Sequence, residues 1–364
     1  MRAIVLAAAI LSSLSDGSVG STYDGTLVLV HTIFRHGNRT PTNGGYDKNP
    51  YNNELFYAPM GWGQLTNEGK RTEYRIGTTL RQRYNDFLGD VYSVNILDAR
   101  STDYNRTKMS ANLMLSGLFP PRDDQVWLPW LNWQPIPYNY FAADKELGST
   151  WTCSNYEKLY EELLASDKVQ ELLSQFEPTY SYVSTYTGLN ITGPDGIFNL
   201  YFALTTQLEY GYPLEEWTKQ VYPDEMEKIS KNVYYLQTNT TELKKIAGGF
   251  MLRKILEDSK RKIDGTLTPS SRKMFVYSGH ERNVANILTT LGVYQDDIPS
   301  YGSHVLVELH KISGQYGFKI YYQNWRYSNP KLLTIPGCGS FCKLEEFEEL
   351  FAEIIPSDDD CQTA

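Results

Sequence analysis

Apolar residues occur along this chain in two patterns, and each pattern predicts a different element. Short apolar runs rich in β-branched residues are typical of strands that are buried on both faces. Such runs predict strands at residues 26–34, 92–97, 273–277, 305–310 and 318–322, the last two forming a hairpin. Apolar residues spaced three and four positions apart predict helices at 67–84, 107–118 and 283–291. Strands that alternate with helices at both ends of the chain indicate an α/β sandwich.

The middle of the chain has a different pattern. Between residues 156 and 250, acidic amphipathic helices follow one another without any run typical of a strand, and 198–210 reads as a further helix. We therefore expect an α/β domain formed by residues 21–150 and 251–364. Residues 151–250 would be a helical insertion that lies over the sheet as a cap.

The first 20 residues predict export. Met1 and Arg2 give a short positive start, Ile4 to Leu14 is an apolar run, and small residues follow it. This order is typical of a secretory signal peptide and is too short for a bilayer span. The alternative is a buried N-terminal strand or helix. Because no other apolar run approaches about 18 residues, we expect a soluble, secreted protein without a membrane partner, exported directly or through an acidic secretory compartment.

Charge narrows the choice of partners. The chain has 364 residues and a formal net charge of -9. A nucleic-acid partner would need a basic surface, so an acidic chain argues against one. A small anionic substrate would need a local cationic pocket, because the overall field of the protein repels it.

Four cysteines, an even number, agree with an oxidising compartment. Cys338 and Cys342 are separated by three residues that could form a short closed loop, which leaves Cys153 to pair with Cys361. A zinc site is the alternative, but no histidine or second cysteine pair has ligand spacing nearby. We expect the two disulfides and no bound metal.

Asparagine sequons also agree with export. Asn190 and Asn239 each begin an Asn-X-Thr sequence in a segment that should be exposed, and we expect both to be glycosylated. Asn38 and Asn105 match the same pattern. We expect those two to be bare, because both lie in segments that carry the candidate site.

Charged residues follow three of the predicted strands at the point where each strand ends. Open α/β sheets bind ligands at the carboxyl ends of their strands, so these side chains should meet at one edge. In an acidic protein, such a cluster is suited to binding an oxyanion, since guanidinium groups match phosphate with two hydrogen bonds. The residues are Arg35, His36, Arg39, Arg100, His280 and Glu281.

At these positions the chain resembles the histidine acid phosphatases. Residues 35–41 (RHGNRTP) fit the R-H-G-x-R-x-P signature of that family, and 278–281 (SGHE) fit its second motif. Segments 61–69, 100–111, 119–121, 133–137 and 333–342 are similar as well, so the resemblance covers nearly the whole chain after residue 20. The nearest type is the secreted animal enzymes, in particular the insect venom acid phosphatases.

The resemblance implies a fold, an activity and a role for each site residue. The fold would be a mixed, mainly parallel central sheet with helices on both faces and an inserted helical cap. The activity would be hydrolysis of small phosphomonoesters without a cofactor. His36 matches the nucleophile that forms a phosphohistidine, and Glu281 stands where most members carry an aspartate that donates the proton. The matches to the phosphate-binding groups are Arg35, Arg39, Arg100 and His280.

Elementary electrostatics agrees with activity in acid. Imidazole has an ordinary pKa of about 6.5, and neighbouring guanidinium groups disfavour its protonated form. The pKa of His36 should therefore be lowered, so that the nucleophile stays neutral in a mildly acidic medium.

Two alternatives remain open at this point. A phytase or inositol polyphosphate phosphatase shares the first motif, but it usually has His-Ala-Glu in the second and a more basic pocket. A non-catalytic secreted protein could keep the anion pocket of a phosphatase, although decay usually removes a site residue and all are present here. Related secreted phosphatases can be homodimers, and a homodimer is possible for this chain as well.

Overall fold

The computed structural model of the protein describes residues 25–324 and 329–362. The predicted signal peptide, residues 1–20, lies outside the described residues. The strands are β1 (Leu27–Arg35), β2 (Leu97–Ser101), β3 (Met274–Gly279), β4 (His304–Ile312), β5 (Gln315–Gln323), β6 (Lys331–Leu332) and β7 (Cys342–Lys343). The helices are α1 (Asn67–Leu88), α2 (Asn105–Leu118), α3 (Lys145–Thr152), α4 (Ser154–Leu164), α5 (Asp167–Ser174), α6 (Glu177–Thr187), α7 (Pro194–Glu209), α8 (Asp224–Leu236), α9 (Thr241–Lys244), α10 (Phe250–Ile263), α11 (Glu281–Thr290) and α12 (Leu344–Phe351).

The strands form one mixed sheet in the order β2-β3-β1-β4-β5-β6, with β7 also paired to β5. The expected α/β fold is confirmed, but the parallel share of the sheet is smaller than predicted. Only β2, β3 and β1 are parallel to one another; β4 is antiparallel to β1 and to β5, and β6 and β7 are antiparallel to β5. The turn at Ser313 and Gly314, both with positive φ, folds β4 and β5 back on each other as the predicted hairpin.

Helices cover both faces of the sheet. Side chains of β1 point alternately to the two faces, so they belong to two different apolar clusters. Val30 and Phe34 belong to a cluster that includes Ile76 and Leu80 of α1 and Leu115 of α2. On the other face, β1 packs against α10 and α11, and α12 packs against β5. The apolar cluster on this face includes Leu29, Ile33, Ile255, Ile287 and Phe347. A strand buried on both faces can hold the residues that follow it in a fixed position.

The predicted second strand is displaced along the chain. The sequence pattern predicts a strand at 92–97, whereas β2 begins at Leu97 and ends at Ser101. The β2 sequence, Leu-Asp-Ala-Arg-Ser, contains no β-branched residue, and pairing with β3, not local propensity, makes it a strand. As a result Arg100 lies within a strand, opposite Tyr277 in the β2–β3 pair, and not after the strand's end.

The loop that follows β1 is held by close contact with the first turn of α1. An added Cβ at Gly69 would come within 2.7 Å of the backbone nitrogen of Asn38 and closer still to its carbonyl oxygen. The backbone nitrogen of Thr66 donates to the same Asn38 carbonyl at 2.9 Å. Glycine at this position therefore allows the helix and the loop to touch through their backbones.

Between Ser154 and Lys244 the described elements are all helical. Most of this segment's buried apolar residues form a cluster of their own, which includes Phe176, Ile197, Trp217 and Ile229. Disulfides join Cys153 to Cys361, across 208 residues, and Cys338 to Cys342, and these are the expected partners. Among residues 25–324 and 329–362, no helix has the length and apolar character needed to cross a membrane.

We predict that Gly69→Ala lowers the free energy of unfolding by about 1–3 kcal/mol, because the methyl group must displace the backbone of the loop after β1. Any activity that depends on His36 should fall as well, since that loop carries this residue. Gly193→Ala is the matched control: Gly193 has an extended φ of -173° and open space around its Cβ position. Denaturant unfolding and steady-state kinetics check both variants. Equal stability of the two variants would show that the contact between α1 and the loop is not tight.

Candidate active site

The three parallel strands bring their carboxyl ends to one edge of the sheet. Arg35, the last residue of β1, lies opposite Gly279, the last residue of β3, and Ser101 of β2 lies opposite Ser278. The backbone nitrogen of His36 donates to the carbonyl of Gly279 at 3.0 Å. The residues that directly follow β1 and β3 therefore lie side by side.

His36 is buried as a neutral imidazole. Its side chain is nearly inaccessible, and Nδ1 lies 2.9 Å from the carbonyl oxygen of Gly37. A carbonyl can only accept, so Nδ1 carries the proton and Nε2 keeps its lone pair. Burial, followed by the positive charges of Arg106 and Arg35, lowers the pKa of His36 well below its ordinary value of 6.5. The imidazole therefore presents an unprotonated nitrogen in a cationic surrounding.

Arg35 is fixed by contacts on several sides. Its Nη1 donates to the carbonyl of Pro299 at 2.7 Å, and its guanidinium carbon lies 4.0 Å from the ring centre of Tyr301. Its Nε lies 3.5 Å from Oε2 of Glu281. Such contacts hold a guanidinium group in one orientation before any ligand binds.

Several guanidinium donors in the site have no hydrogen-bond partner within the described residues. These buried atoms are Nε and Nη2 of Arg35, Nε of Arg39 and Nε of Arg106. Burial, followed by the charge of Arg39, lowers the pKa of Arg106 to about 10, which leaves it cationic in acid. Three cations with free donors around one neutral imidazole are suited to binding a tetrahedral oxyanion.

The sequence pattern assigned Arg100 to this cluster, but the third arginine whose charge acts on His36 is Arg106. Arg100 forms ion pairs with Asp144 at 3.3 Å and Glu146 at 3.1 Å, so its charge is already matched. It is held there because it belongs to β2. Arg106 follows the true end of that strand, at the start of α2, and its charge acts on His36, Arg39 and His280.

His280 and Glu281 stand at the junction of β3 and α11. Nε2 of His280 lies 3.0 Å from the hydroxyl of Thr102, and its ring centre is 5.5 Å from that of His36. Burial, followed by the charge of Arg106, lowers the pKa of His280 to about 3, so it is neutral. Burial alone would raise the pKa of Glu281, but the positive charge of Arg35 is the largest opposing effect, and that pKa lies at about 2.

Glu73 of α1 is a buried carboxyl group, and it is close enough to Arg35 for that positive charge to affect its pKa. Burial raises the pKa of Glu73 well above its ordinary value, against the opposing effect of Arg35, so the group is uncharged in acid. Glu73 therefore does not cancel the positive charge of the site. Nothing in the sequence pattern singles this residue out, because it occupies an ordinary position of an amphipathic helix.

The site opens into a cavity of about 740 Å³ between the sheet edge and the helical segment. No group of three or more potential metal ligands occurs in the part of the chain that the structure describes. The wall contains charged side chains, apolar side chains, and five polar ones: Thr42, Asn43, Thr150, Asn190 and Asn199. The charged group consists of Arg39, Arg106, Glu281 and Arg282, beside His280, and the apolar group includes Tyr104, Trp151, Ile191, Phe198 and Phe202.

Known proteins with similar sequences are acid phosphatases. A model of the histidine phosphatase superfamily (branch 2) matches residues 26–323. The venom acid phosphatase of Apis mellifera is 36% identical over 338 residues, covering 92% of this chain and 87% of that protein. The prostatic acid phosphatase of Homo sapiens is 32% identical, covering 91% of this chain and 86% of that protein.

Solved structures with a similar fold are phytases and a related phosphatase. The Hafnia alvei phytase in complex with myo-inositol hexakis sulphate superposes with a TM-score of 0.69 at 17% identity, covering 93% of this chain and 99% of that one. The Bifidobacterium longum multiple inositol polyphosphate phosphatase in complex with phosphate gives 0.59 at 10% identity, covering 92% and 94%. At these identities the similarity establishes the fold alone.

A neutral histidine among arginines, in this fold and with these relatives, defines an enzyme of the acid phosphatase class. The chain belongs to the histidine phosphatase superfamily, branch 2, and within it to the histidine acid phosphatases.

We predict that Arg106→Ala weakens inhibition by inorganic phosphate by about 10- to 100-fold, which is the loss expected for a hydrogen bond to a charged group. Arg100→Ala should leave the inhibition constant unchanged and lower the melting temperature instead, because Asp144 and Glu146 lose their shared cation. Inhibition kinetics and thermal unfolding of both variants check this. The reverse pattern would restore Arg100 as the phosphate ligand.

Proposed function

We propose that this protein hydrolyses phosphate monoesters through a phosphohistidine formed at Nε2 of His36. One observation carries the proposal. Nδ1 of His36 carries the proton and donates to the Gly37 carbonyl, so Nε2 has a free lone pair, and the charges of three arginines act on the ring. Arg35, Arg39 and Arg106 would hold the equatorial oxygens of the phosphoryl group, and His280 would donate a further hydrogen bond. Phosphoryl transfer needs chiefly positioning and charge stabilisation, which this arrangement supplies.

In the first step, the Nε2 lone pair of His36 attacks phosphorus and the bond to the ester oxygen breaks. The positive charge that develops on the imidazole is stabilised by the negative phosphoryl group now attached to it. Glu281 gives its proton to the departing oxygen, so the alcohol leaves as a neutral molecule. The departing group would occupy the aromatic part of the cavity, which includes Tyr104 and Trp151.

Glu281 must be protonated when the substrate is bound, although its pKa is about 2 in the free site. A bound phosphate ester supplies negative charge beside Arg35 and so removes much of the attraction that keeps the carboxyl ionised. A phosphate monoester with a second pKa of about 6 also arrives as the monoanion in acid and can bring the proton with it. Both effects favour the acid form of Glu281 only in the complex.

In the second step, water attacks phosphorus and the bond between Nε2 and phosphorus breaks. Glu281, now a carboxylate, accepts a proton from the attacking water. Inorganic phosphate and the free enzyme result, and no bound metal takes part in either step.

The cavity wall favours a monoester with an apolar leaving group over inositol polyphosphates. Beyond the cations that hold one phosphoryl group, Arg282 is the additional arginine of the wall, and it lies 3.8 Å from Asp195. A polyphosphorylated ring would bring further charges against aromatic and aliphatic side chains, which is costly. The phytase alternative therefore has less support, and the non-catalytic alternative has none from the site, since none of the candidate residues is missing from the sequence.

The remaining expectations stay proposals. We propose that the protein is secreted, with the signal peptide at 1–20, glycans on Asn190 and Asn239 and a helical cap at 151–250. Two disulfides and relatives from venom and lysosome support an oxidising route of export. A homodimer stays a prediction.

We predict that Glu281→Gln slows hydrolysis of an alkyl phosphate by about 100-fold or more, because a poor leaving group needs a proton. Hydrolysis of 4-nitrophenyl phosphate should suffer less, since that leaving group departs without much help, and Glu281→Asp should keep part of the rate on both. Glu68→Gln, the same change on the exposed face of α1, is the matched control. Equal losses on the two substrates would make Glu281 a group that holds Arg35 and not the proton donor.

We predict that activity persists as the pH falls below 6.5, because burial and the neighbouring arginines lower the pKa of His36 well below its ordinary value. Removing a positive charge raises that pKa, so Arg106→Gln should move the acidic limb of kcat/KM to higher pH. Measuring both enzymes on the same substrate cancels the ionisation of the substrate itself. An acidic limb that does not move would mean that Arg106 has no electrostatic effect on His36.

A further inference from the structure

One predicted glycosylation sequon lies at the cavity that contains the candidate active site. Asn190 belongs to the loop between α6 and α7, and this loop contributes Leu189, Asn190 and Ile191 to the cavity wall. The same cavity is lined by Arg39 and by Glu281. A modification of Asn190 would therefore bear on substrate access.

The loop holds Asn190 in a defined position. The backbone nitrogen of Leu189 donates to the hydroxyl of Thr187 at 3.2 Å, and that of Ile191 donates to the hydroxyl of Ser184 at 3.1 Å. The Ile191 side chain is buried in the apolar cluster of the helical segment. Anchors on both sides of Asn190 fix the direction in which its side chain leaves the backbone.

Both polar residues of the sequon face solvent. The side chains of Asn190 and Thr192 are exposed while Ile191 between them is buried, as the alternation of an extended segment requires. Because Asn190 both lines the cavity and is exposed, it lies where the cavity meets the solvent.

The sequons inside the catalytic segments differ from this one. Thr40 and Thr107 are fully buried, and their hydroxyls donate to backbone carbonyls of Gly61 and Thr102. Asn38 is partly buried, and Asn105, although exposed, is the first residue of α2 and is followed by Arg106. At Asn190 both the acceptor and Thr192 are exposed, so the whole sequon is accessible.

We propose that Asn190 carries an N-linked glycan that stands at the mouth of the catalytic cavity and selects small phosphomonoesters over phosphorylated proteins. The inference rests on the proposed phosphatase function and adds the substrate class. The transfer joins Nδ2 of Asn190 to the anomeric carbon of the first sugar and breaks the bond from that carbon to a lipid-linked diphosphate donor. The amide loses one proton, which balances the charge of the released diphosphate.

The glycan would act on access and not on the chemical step. An oligosaccharide is bulky and hydrated, and it is attached outside the ring of arginines that holds the phosphoryl group. A small ester can pass beside it, whereas a folded protein must approach the mouth with a broad surface. The expected effect is a lower association rate for large substrates, with kcat for small esters unchanged.

The test uses the full chain, secreted from eukaryotic cells, with substitutions at Thr192 and not at Asn190. Thr192→Ala removes the hydroxyl that the glycosyl transfer requires and leaves the cavity-lining amide in place, whereas Thr192→Ser keeps the sequon. Asn239→Gln removes the other predicted glycan, which is attached outside the cavity wall. Glycopeptide mass spectrometry gives the occupancy of each site, and kcat/KM is measured on 4-nitrophenyl phosphate and on phosphorylated casein.

We expect Asn190 to be occupied in the parent and in Thr192→Ser, and bare in Thr192→Ala. The bare variant should gain about fivefold or more in kcat/KM on phosphorylated casein and change little on 4-nitrophenyl phosphate. Asn239→Gln should behave as the parent does. If Thr192→Ala is not secreted, trimming the parent's glycans to one sugar with an endoglycosidase should give the same gain.

An unoccupied Asn190 in the parent, or an occupied one whose removal changes both substrates equally or neither, would overturn the proposal. The phosphatase proposal itself is tested separately in the same experiment. Parent enzyme without activity on 4-nitrophenyl phosphate would refute that function, whatever the occupancy of Asn190.

Discussion

The site depends on one electrostatic constraint: three guanidinium groups surround a buried imidazole that must remain neutral. Each cation opposes protonation of His36, and the Gly37 carbonyl fixes the remaining proton on Nδ1. The same cations leave buried donors without a partner among the described residues, and these donors are suited to an oxyanion. A single arrangement thus disfavours protonation of His36 and supplies the donors that the proposed phosphate site needs. In a chain of net charge -9, it does so against the overall field of the protein.

The rest of the fold holds the positively charged arginines close together around His36. Parallel pairing of β1 with β3 places Arg35 and His36 beside Gly279 and His280, and two apolar clusters clamp β1 from either face. Tyr301 and the Pro299 carbonyl hold the guanidinium group of Arg35 in place. Arg35 is also the counter-charge of Glu281, so one residue links the cationic cluster to the proposed proton donor. Mutual repulsion of the cations is tolerated because packing, and not the cations' own interactions, fixes their positions.

Much of this arrangement could be predicted from the sequence, because it is encoded locally. An uninterrupted apolar run such as that of β1 predicts a buried strand, and the charged residues directly after it must lie at the strand's end. The predicted position of Arg100 was wrong because β2 has no apolar run of its own and becomes a strand only by pairing with β3. The strand ends four residues later than predicted, so Arg100 lies within it as an ion-paired residue and Arg106 lies in the cavity wall. Glu73 and the cavity-facing position of Asn190 could not be predicted either, since both follow from how helices distant in sequence pack together.

The most direct test of the account is to trap the intermediate. The enzyme is mixed with radiolabelled phosphomonoester, quenched in alkali during turnover and digested, and the labelled peptide is sequenced by mass spectrometry. The account predicts one labelled peptide that contains His36, with phosphate on Nε2, stable in alkali and lost in acid, and no label in His36→Ala. Label on a different residue, or continued turnover by His36→Ala, would contradict a phosphohistidine at this position.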